Sequence, residues 1–186
     1  MLAQRGAIIV DVDLAGRWAV EKNESVREQI RRTFGDAVFI GDELDRRKLG
    51  ALIFADKNMR DKLNRIVHPV MLQRVDDLVS EAIKAGKAPY IIVDAALVFE
   101  LGLDKKVDVT VTVRSPIETC IKRVMQRDGL GREEVMQRIK SQLPQEEKVK
   151  RADYILPNDG GRGQLEKEVE KLLSWLQKRL NQDFPK

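Results

Sequence analysis

The sequence reads Ala7-Ile8-Ile9-Val10-Asp11-Val12-Asp13 near its start and Tyr90-Ile91-Ile92-Val93-Asp94 near its middle. Each stretch is a continuous, largely β-branched apolar run that ends at an aspartate. Continuous apolar runs are typical of strands that are buried on both faces of a parallel sheet. Four strands are predicted on this basis, over Ala7–Val10, Tyr90–Val93, Val107–Val113 and Tyr154–Leu156.

Helical patterns separate these runs. Apolar residues recur at helical spacing over Val70–Ile83, and Gly86 is predicted to end that helix. Ser115-Pro116-Ile117-Glu118 predicts a helix start with a capping box. Leucines and a valine over Leu165–Leu180 predict a long amphipathic C-terminal helix. Strands that alternate with helices predict an α/β fold with a parallel sheet and right-handed crossovers.

The organisation predicted from these patterns is a single domain with three parts. A core is expected over 1–24, 88–122 and 152–186. A helical insertion without strands is expected over 25–87, where strand signals are absent. A charged, mobile lid is expected over 123–151.

Composition narrows the class of protein. The 34 basic and 30 acidic residues leave a net charge of +4, which suits an anionic small molecule at least as well as nucleic acid. A nucleic-acid-binding domain is the weaker alternative because basic residues are spread among acidic ones and only 5% of residues are aromatic. The single cysteine, Cys120, permits neither a disulfide framework nor a zinc motif, so a reducing, cytoplasmic location is expected. The protein is expected to be a monomer or a weak homo-oligomer.

Two groups of residues carry candidate chemistry. Asp11 and Asp13 follow the first strand, where ligands of open parallel sheets gather, and a carboxylate there can accept a hydroxyl proton or hold a hydrated magnesium ion. The alternative is an aspartate that caps the next helix. Arg123, Arg127 and Arg138 suit phosphate oxygens, and their alternative is a solvated helix face.

Six motifs follow one another along the chain. They are Ile9–Asp13 with Arg17, Asp45–Leu49 with Ile53-Phe54, a Leu63–Pro69 turn, Asp94–Glu100, the lid pair Arg123–Asp128 and Arg138–Gln142, and Ala152–Leu156 with Asn158 and Gly160. Each is weak alone, but the ordered set resembles the dephospho-coenzyme A kinase family. Ala96 and Pro157 depart from the proline and aspartate usual in that family, which leaves the local loop geometry open.

The resemblance implies a P-loop kinase with a core, a helical coenzyme-binding insertion and a lid. It implies phosphorylation of the ribose 3′-hydroxyl of dephospho-coenzyme A by ATP with magnesium. Asp13 would be the base or orienter at that hydroxyl, and Asn158 would lie near the adenine. Arg17, His68, Leu97, Phe99 and Glu100 would border the substrate pocket, and Arg123, Arg127 and Arg138 would contact phosphates. His68 has a second interpretation, because a lone histidine before proline often marks only a structural turn.

One element of that family is not found in this sequence. The phosphate-binding pattern G-x-x-x-x-G-K-[ST] does not occur in the 186 residues, and Gly160-Gly161-Arg162-Gly163 lacks its Lys-Ser/Thr pair. We therefore expect the central first strand and its loop to be missing through a late start codon. The chain from Met1 is then expected to be inactive and to bind ATP poorly. A kinase-like coenzyme-binding protein without catalysis is the alternative, and translating the DNA upstream of Met1 distinguishes the two.

Overall fold

A computed structural model describes residues 1–183 and confirms the α/β class. The chain divides into two compact units, one over Ala3–Ala95 and one formed by Met1–Leu2 with the chain from Ala96 onward. Each unit contains one pair of parallel strands with helices packed around it.

The first unit is built on two strands that pair in parallel, β1 and β4. Their register places Ile8 opposite Ile91 and Asp11 opposite Asp94. Both predicted strands are thus confirmed, each shifted one residue towards its aspartate. The elements of this unit are β1 Ile8–Asp11, α1 Val12–Lys22, α2 Glu24–Phe34, β2 Phe39–Ile40, β3 Glu43–Leu44, α3 Arg46–Ala55, α4 Lys57–Ala85 and β4 Ile91–Asp94.

The core of the first unit lies where α1 packs against α4. Ala15 and Ala19 are buried on α1, and Val75 is buried on α4. A side chain at Gly16 would place its Cβ only 3.3 Å from the sulfur of Met71. The absence of a Cβ at Gly16 therefore permits the close approach of the two helices.

Two predictions for this unit were wrong. Leu63–Pro69 is no turn, because it lies inside the continuous helix α4, which ends as predicted at Gly86 in a left-handed conformation. Val67 and Met71 are buried on either side of Pro69, so packing keeps the helix intact despite the missing N–H. The stretch expected to lack strands also contains an antiparallel hairpin, in which Phe39 pairs with Leu44.

The second unit contains the other parallel pair, β5 with β6, in which Val111 is opposite Tyr154. Its apolar core is formed by Leu156, Val169 and Leu172, against which Met1 and Trp175 pack. The strand predicted from Val107 begins only at Val111, after a short 3-10 helix over Leu103–Lys106. The α-helices and strands are β5 Val111–Arg114, α5 Ile117–Asp128, α6 Arg132–Lys140, α7 Gln145–Arg151, β6 Tyr154–Pro157 and α8 Arg162–Asp183.

The capping box predicted at Ser115–Glu118 was wrong. Helix α5 follows Pro116 without a side-chain cap. The Ser115 hydroxyl instead donates to the carbonyl oxygen of Asn158 at 2.8 Å. The Ser115 hydroxyl therefore bonds to a residue distant in sequence instead of capping α5, as the local pattern predicted.

Strand edges are left open in both units. Within residues 1–183, β4 pairs only with β1, and β5 pairs only with β6. Val111 and Val113 are 39% and 53% exposed. Open edges of this kind can accept further backbone hydrogen bonds. In the part of the chain that the structure describes, no helix has the length and apolar character needed to cross a membrane.

Asp153 joins the start of β6 to the segment before β5. Its Oδ2 accepts hydrogen bonds from the backbone N–H and the hydroxyl of Thr110, both at 2.8 Å. The Asp153 N–H donates back to the Thr110 hydroxyl at 3.1 Å. The hydrogen bond from the Thr110 backbone, helped by its hydroxyl and by Arg179, holds the pKa of Asp153 below its usual range.

Asp153→Asn should lower the free energy of unfolding at pH 7, and the loss should shrink below about pH 4. The ionised carboxylate is favoured in the folded state, so its contribution is present above the unfolded pKa and disappears as pH falls through the folded pKa. Urea unfolding of both proteins between pH 7 and pH 3 measures this, with the exposed Asp159→Asn as control. A destabilisation that is constant across this range would contradict the assignment.

Candidate functional site

Asp11 is a scaffold residue at the junction of β1 and α1. Its carboxylate accepts a hydrogen bond from the Leu14 backbone N–H at 3.0 Å and caps α1. Asp13 lies in the first turn of the same helix and is exposed. Of the two predicted carboxylates, Asp11 is therefore hydrogen-bonded to the backbone, whereas Asp13 is exposed to solvent.

A third carboxylate, Asp94, joins this edge of the first unit. The register of β1 with β4 places Asp94 beside Asp11. Burial raises the pKa of Asp94, and the charges of Asp11 and Asp13 raise it further. Sequence reasoning placed Asp94 in a motif without giving it a role, although the aspartate that ends the second β-branched run was a usable signal.

Arg17 and His68 lie on the two helices that pack together in this unit. Arg17 is one turn beyond Asp13 on α1 and is exposed. His68 is half-buried in α4, and burial lowers its pKa, which favours the neutral imidazole at pH 7. Met71, three residues after His68, packs close to Gly16 of α1. His68 is therefore placed by helix packing rather than by a turn.

The loop after β4 that carries Leu97, Phe99 and Glu100 is folded against the lid within the second unit. Its backbone closes on itself, with the Leu101 N–H donating to the Leu97 carbonyl at 3.0 Å. Glu100 Oε1 accepts a hydrogen bond from the Leu143 backbone N–H at 2.7 Å. The Arg151 guanidinium lies 5.9 Å from the centre of the Phe99 ring. Leu97 and Phe99 are half-buried, while Glu100 is exposed.

Arg123 and Asn158 are brought into contact. The contact involves the backbone carbonyl of Asn158, in the loop after β6, and not its side chain. The two terminal nitrogens of Arg123 donate to the carbonyl oxygens of Asn158 and Gly160, each at 2.9 Å. The Asn158 N–H donates to the Arg114 carbonyl at 2.7 Å. In this structure Arg123 holds the loop in place, a contact that its helical spacing did not indicate.

Arg127 and Arg138 share one carboxylate. Asp128 accepts from Arg127 Nε at 2.7 Å, and its other oxygen lies 3.6 Å from a terminal nitrogen of Arg138. The hydrogen bond from Arg127 holds the pKa of Asp128 below its usual range, and the same bond raises the pKa of Arg127. Gly129 ends α5 directly after this pair. Exposed ion pairs of this kind contribute little to stability, so a phosphate could replace Asp128 as the partner.

Carboxylate oxygens suit magnesium, and the first unit presents them at one edge. Within residues 1–183, however, no group of three or more histidine, cysteine or acidic side chains is arranged to hold a metal ion by itself. Magnesium is usually bound by one or two carboxylates together with waters and substrate phosphates. The exposed Asp13 fits that limited role, directly or through water.

Comparison with known proteins gives consistent matches. The sequence profile of the dephospho-CoA kinase family matches residues 1–164. The dephospho-CoA kinase of Bacillus licheniformis is 37% identical over 175 residues, which cover 93% of this chain and 86% of that protein. That of Geobacter sulfurreducens is 35% identical over 173 residues, covering 92% and 87%.

Two solved structures are similar to the chain. The crystal structure of TT1252 from Thermus thermophilus has a TM-score of 0.76 at 36% identity, covering 94% of this chain and 87% of that chain. The dephospho-CoA kinase from Campylobacter jejuni has a TM-score of 0.66 at 24% identity, covering 95% and 88%, and this likeness concerns the fold.

The cap formed by Asp11 leads to a stability prediction. Asp11→Ala should lower the free energy of unfolding by about 1 kcal/mol because the Leu14 N–H loses its acceptor. Asp11→Asn should change it by only a few tenths of that, since an asparagine oxygen caps equally well. Urea unfolding at pH 7 measures both, with Asp13→Ala as the control on the same turn. Equal stability of Asp11→Ala and wild type would remove Asp11 from the cap.

Proposed function

The chain belongs to the dephospho-CoA kinase family, and on that premise we propose how its residues transfer the γ-phosphoryl group of ATP to the ribose 3′-hydroxyl of dephospho-CoA. The roles are assigned mainly from the different surroundings of the Asp11 and Asp13 side chains. Asp11 is occupied as a helix cap, so Asp13 is the carboxylate left free for the acceptor hydroxyl.

Asp13 accepts the proton of the 3′-hydroxyl, or orients that hydroxyl, as its oxygen attacks the γ-phosphorus. A new bond forms between the ribose oxygen and the γ-phosphorus. The bond from the γ-phosphorus to the oxygen shared with the β-phosphate breaks, and ADP leaves. Burial and the charges of Asp11 and Asp13 raise the pKa of Asp94, which favours a bound proton on Asp94 at this edge. Phosphoryl transfer depends mainly on positioning and charge neutralisation, so one oriented carboxylate is sufficient on the acceptor side.

Arg17 and His68 in the first unit, and Leu97, Phe99 and Glu100 in the second, are each proposed to contact dephospho-CoA. Arg17 is exposed on the helix that carries Asp13 and provides a cation for the diphosphate of the coenzyme. His68 provides a neutral, half-buried imidazole, which can donate or accept a hydrogen bond without bringing charge. Leu97 and Phe99 provide the half-buried apolar surface.

Arg127 and Arg138 are proposed to contact the phosphates of ATP. Both are exposed and share Asp128, so each can exchange a weak surface ion pair for a phosphate that carries more charge. Asn158 is proposed to lie beside the adenine. Arg123 supports this role because its contacts with the carbonyls of Asn158 and Gly160 hold that loop.

Magnesium is proposed as the metal that accompanies ATP, and it would supply neutralisation of phosphate charge. Asp13 would hold it through water, in keeping with the small protein share of a typical magnesium site. Residues 1–186 contain no G-x-x-x-x-G-K-[ST] pattern, so within this sequence the lid arginines are the proposed phosphate ligands.

The test is a kinase assay of the full-length gene product with magnesium-ATP and dephospho-CoA. We expect ADP and CoA in equal amounts, with the new phosphate on the 3′-oxygen by phosphorus NMR. Adenosine and free pantetheine serve as acceptor controls. Binding of dephospho-CoA without any turnover would instead support the coenzyme-binding alternative, and neither binding nor turnover would contradict both.

We also propose a cytoplasmic location and a monomer or weak homo-oligomer as the working form. The single cysteine supports a reducing compartment, because it offers no disulfide. Light scattering over a range of concentrations measures the mass in solution.

Asp13→Asn should lower kcat by about 10²–10⁴-fold with little change in stability, which is the usual size for a lost general base. The isosteric amide cannot accept the hydroxyl proton but leaves the helix intact. Steady-state kinetics and thermal unfolding of the full-length product measure the two effects. Asp11→Asn is the matched control. Near-normal turnover of Asp13→Asn together with an inactive Asp11→Asn would mean that the two roles are reversed.

Arg127→Ala should lower kcat by more than it raises KM for dephospho-CoA. Arg127 is proposed to neutralise charge that develops in the transition state, and such contacts act on turnover rather than on ground-state binding. Arg132→Ala is the control, because Arg132 pairs with Glu118 outside the proposed contacts. Equal changes in kcat and KM, or no change, would remove Arg127 from the site.

A further inference from the structure

Lys148 is a cation of the lid whose contacts differ from those of its neighbours. It lies on α7, and its ammonium donates to the Ala96 carbonyl oxygen and to Gln142 Oε1, both at 3.0 Å. Both acceptors are neutral. Lys150 on the same helix pairs with Glu147, and Arg132 pairs with Glu118. The charge of Lys148 is therefore directed at one backbone carbonyl and one amide rather than at a carboxylate.

The two acceptors belong to different functional segments. Ala96 precedes the loop Leu97–Glu100, which is proposed to contact dephospho-CoA. Gln142 lies between α6, which carries Arg138, and α7. The Lys148 ammonium thus joins the base of the acceptor loop to the stretch of lid next to Arg138.

Two further contacts join the same segments. Glu100 Oε1 accepts the Leu143 N–H at 2.7 Å, one residue beyond Gln142. The Arg151 guanidinium lies over the Phe99 ring. Helix α7 also contacts β5, since Gln145 Nε2 donates to the Val113 carbonyl at 3.3 Å. Helix α7, which is itself part of the lid, therefore contacts β5, the acceptor loop and the lid segment at Gln142.

We propose that Lys148 is a positioning residue, which holds the acceptor loop at Ala96 and the lid at Gln142 in one arrangement. The proposal rests on the kinase function proposed above. The Lys148 contacts are hydrogen bonds to a charged donor, which are stronger than neutral ones. Because Leu97, Phe99 and Glu100 follow Ala96 directly, loss of the ammonium releases the loop that borders dephospho-CoA. Arg138 is released with it on the lid side.

The test compares Lys148→Met with Lys150→Met in the full-length product. Methionine keeps the length of the side chain but removes the donors. Lys148→Met should lower kcat/KM for dephospho-CoA by about tenfold to a hundredfold, the size expected for a lost hydrogen bond to a charged group. The KM for ATP should rise as well, because Arg138 is proposed to contact the ATP phosphates, while the thermal midpoint should stay close to that of wild type. Lys150→Met should leave all of these values unchanged.

A double-mutant cycle separates positioning from general stability. The effect of Lys148→Met on kcat should be smaller in an Arg138→Ala background, because the arginine that it helps to place is already absent. If Lys148→Met fails to fold, Gln142→Ala removes one acceptor alone and should show a smaller loss in the same direction.

The proposal would be overturned if Lys148→Met and Lys150→Met had the same kcat/KM, or if the effects of Lys148→Met and Arg138→Ala on kcat were additive. It would also be overturned if Lys148→Met failed to fold while Gln142→Ala remained fully active. A wild-type protein without kinase activity would count against the proposed function itself, which keeps the two failures distinct.

Discussion

The placement of the acidic residues Asp11, Asp13 and Asp94 depends on the parallel, in-register pairing of β1 with β4. Backbone hydrogen bonds place the two strands side by side, and the register brings their terminal aspartates to the same edge. Helix α1 begins at that edge, so Asp11 is used as its cap and Asp13 lies one step into the helix. The raised pKa of Asp94 is a consequence of this crowding, since burial and two neighbouring carboxylates disfavour its charge.

The basic residues of the second unit fall into two classes by the strength of their contacts. Arg123 and Lys148 contact backbone carbonyls and shape loops, which a phosphate would not displace without loss of structure. Arg127 and Arg138 hold an exposed carboxylate that contributes little to stability. A phosphate ligand would therefore compete more easily with the contacts of the second class. The proposed division between positioning and phosphate-binding cations follows from this difference in partners.

Local patterns predicted the elements of the fold well and their ends less well. The four core strands, the helix that ends at Gly86 and the long C-terminal helix were all predicted, because they depend on burial periodicity. The turn at Leu63–Pro69 and the capping box at Ser115 were wrong, since burial of Val67 and Met71 outweighed one proline and a distant carbonyl took the serine hydroxyl. The hairpin at Phe39–Leu44 is too short to leave a periodic signal.

The sequence by itself determined the α/β class, the family and the short set of acidic and basic residues from which a site is built. Side-chain type and spacing are properties of the chain, so they can be recognised without coordinates. Only the tertiary structure decided which of those residues are free. Asp11 and Asp13 are alike in sequence, and Arg123 and Arg127 share one helix, yet in each pair the first residue is bound to backbone. The Leu14 N–H that Asp11 caps lies only three residues away, in the first turn of α1. The carbonyls that Arg123 contacts lie 35 and 37 residues away, and hydrogen bonds of that reach form only when the chain is folded.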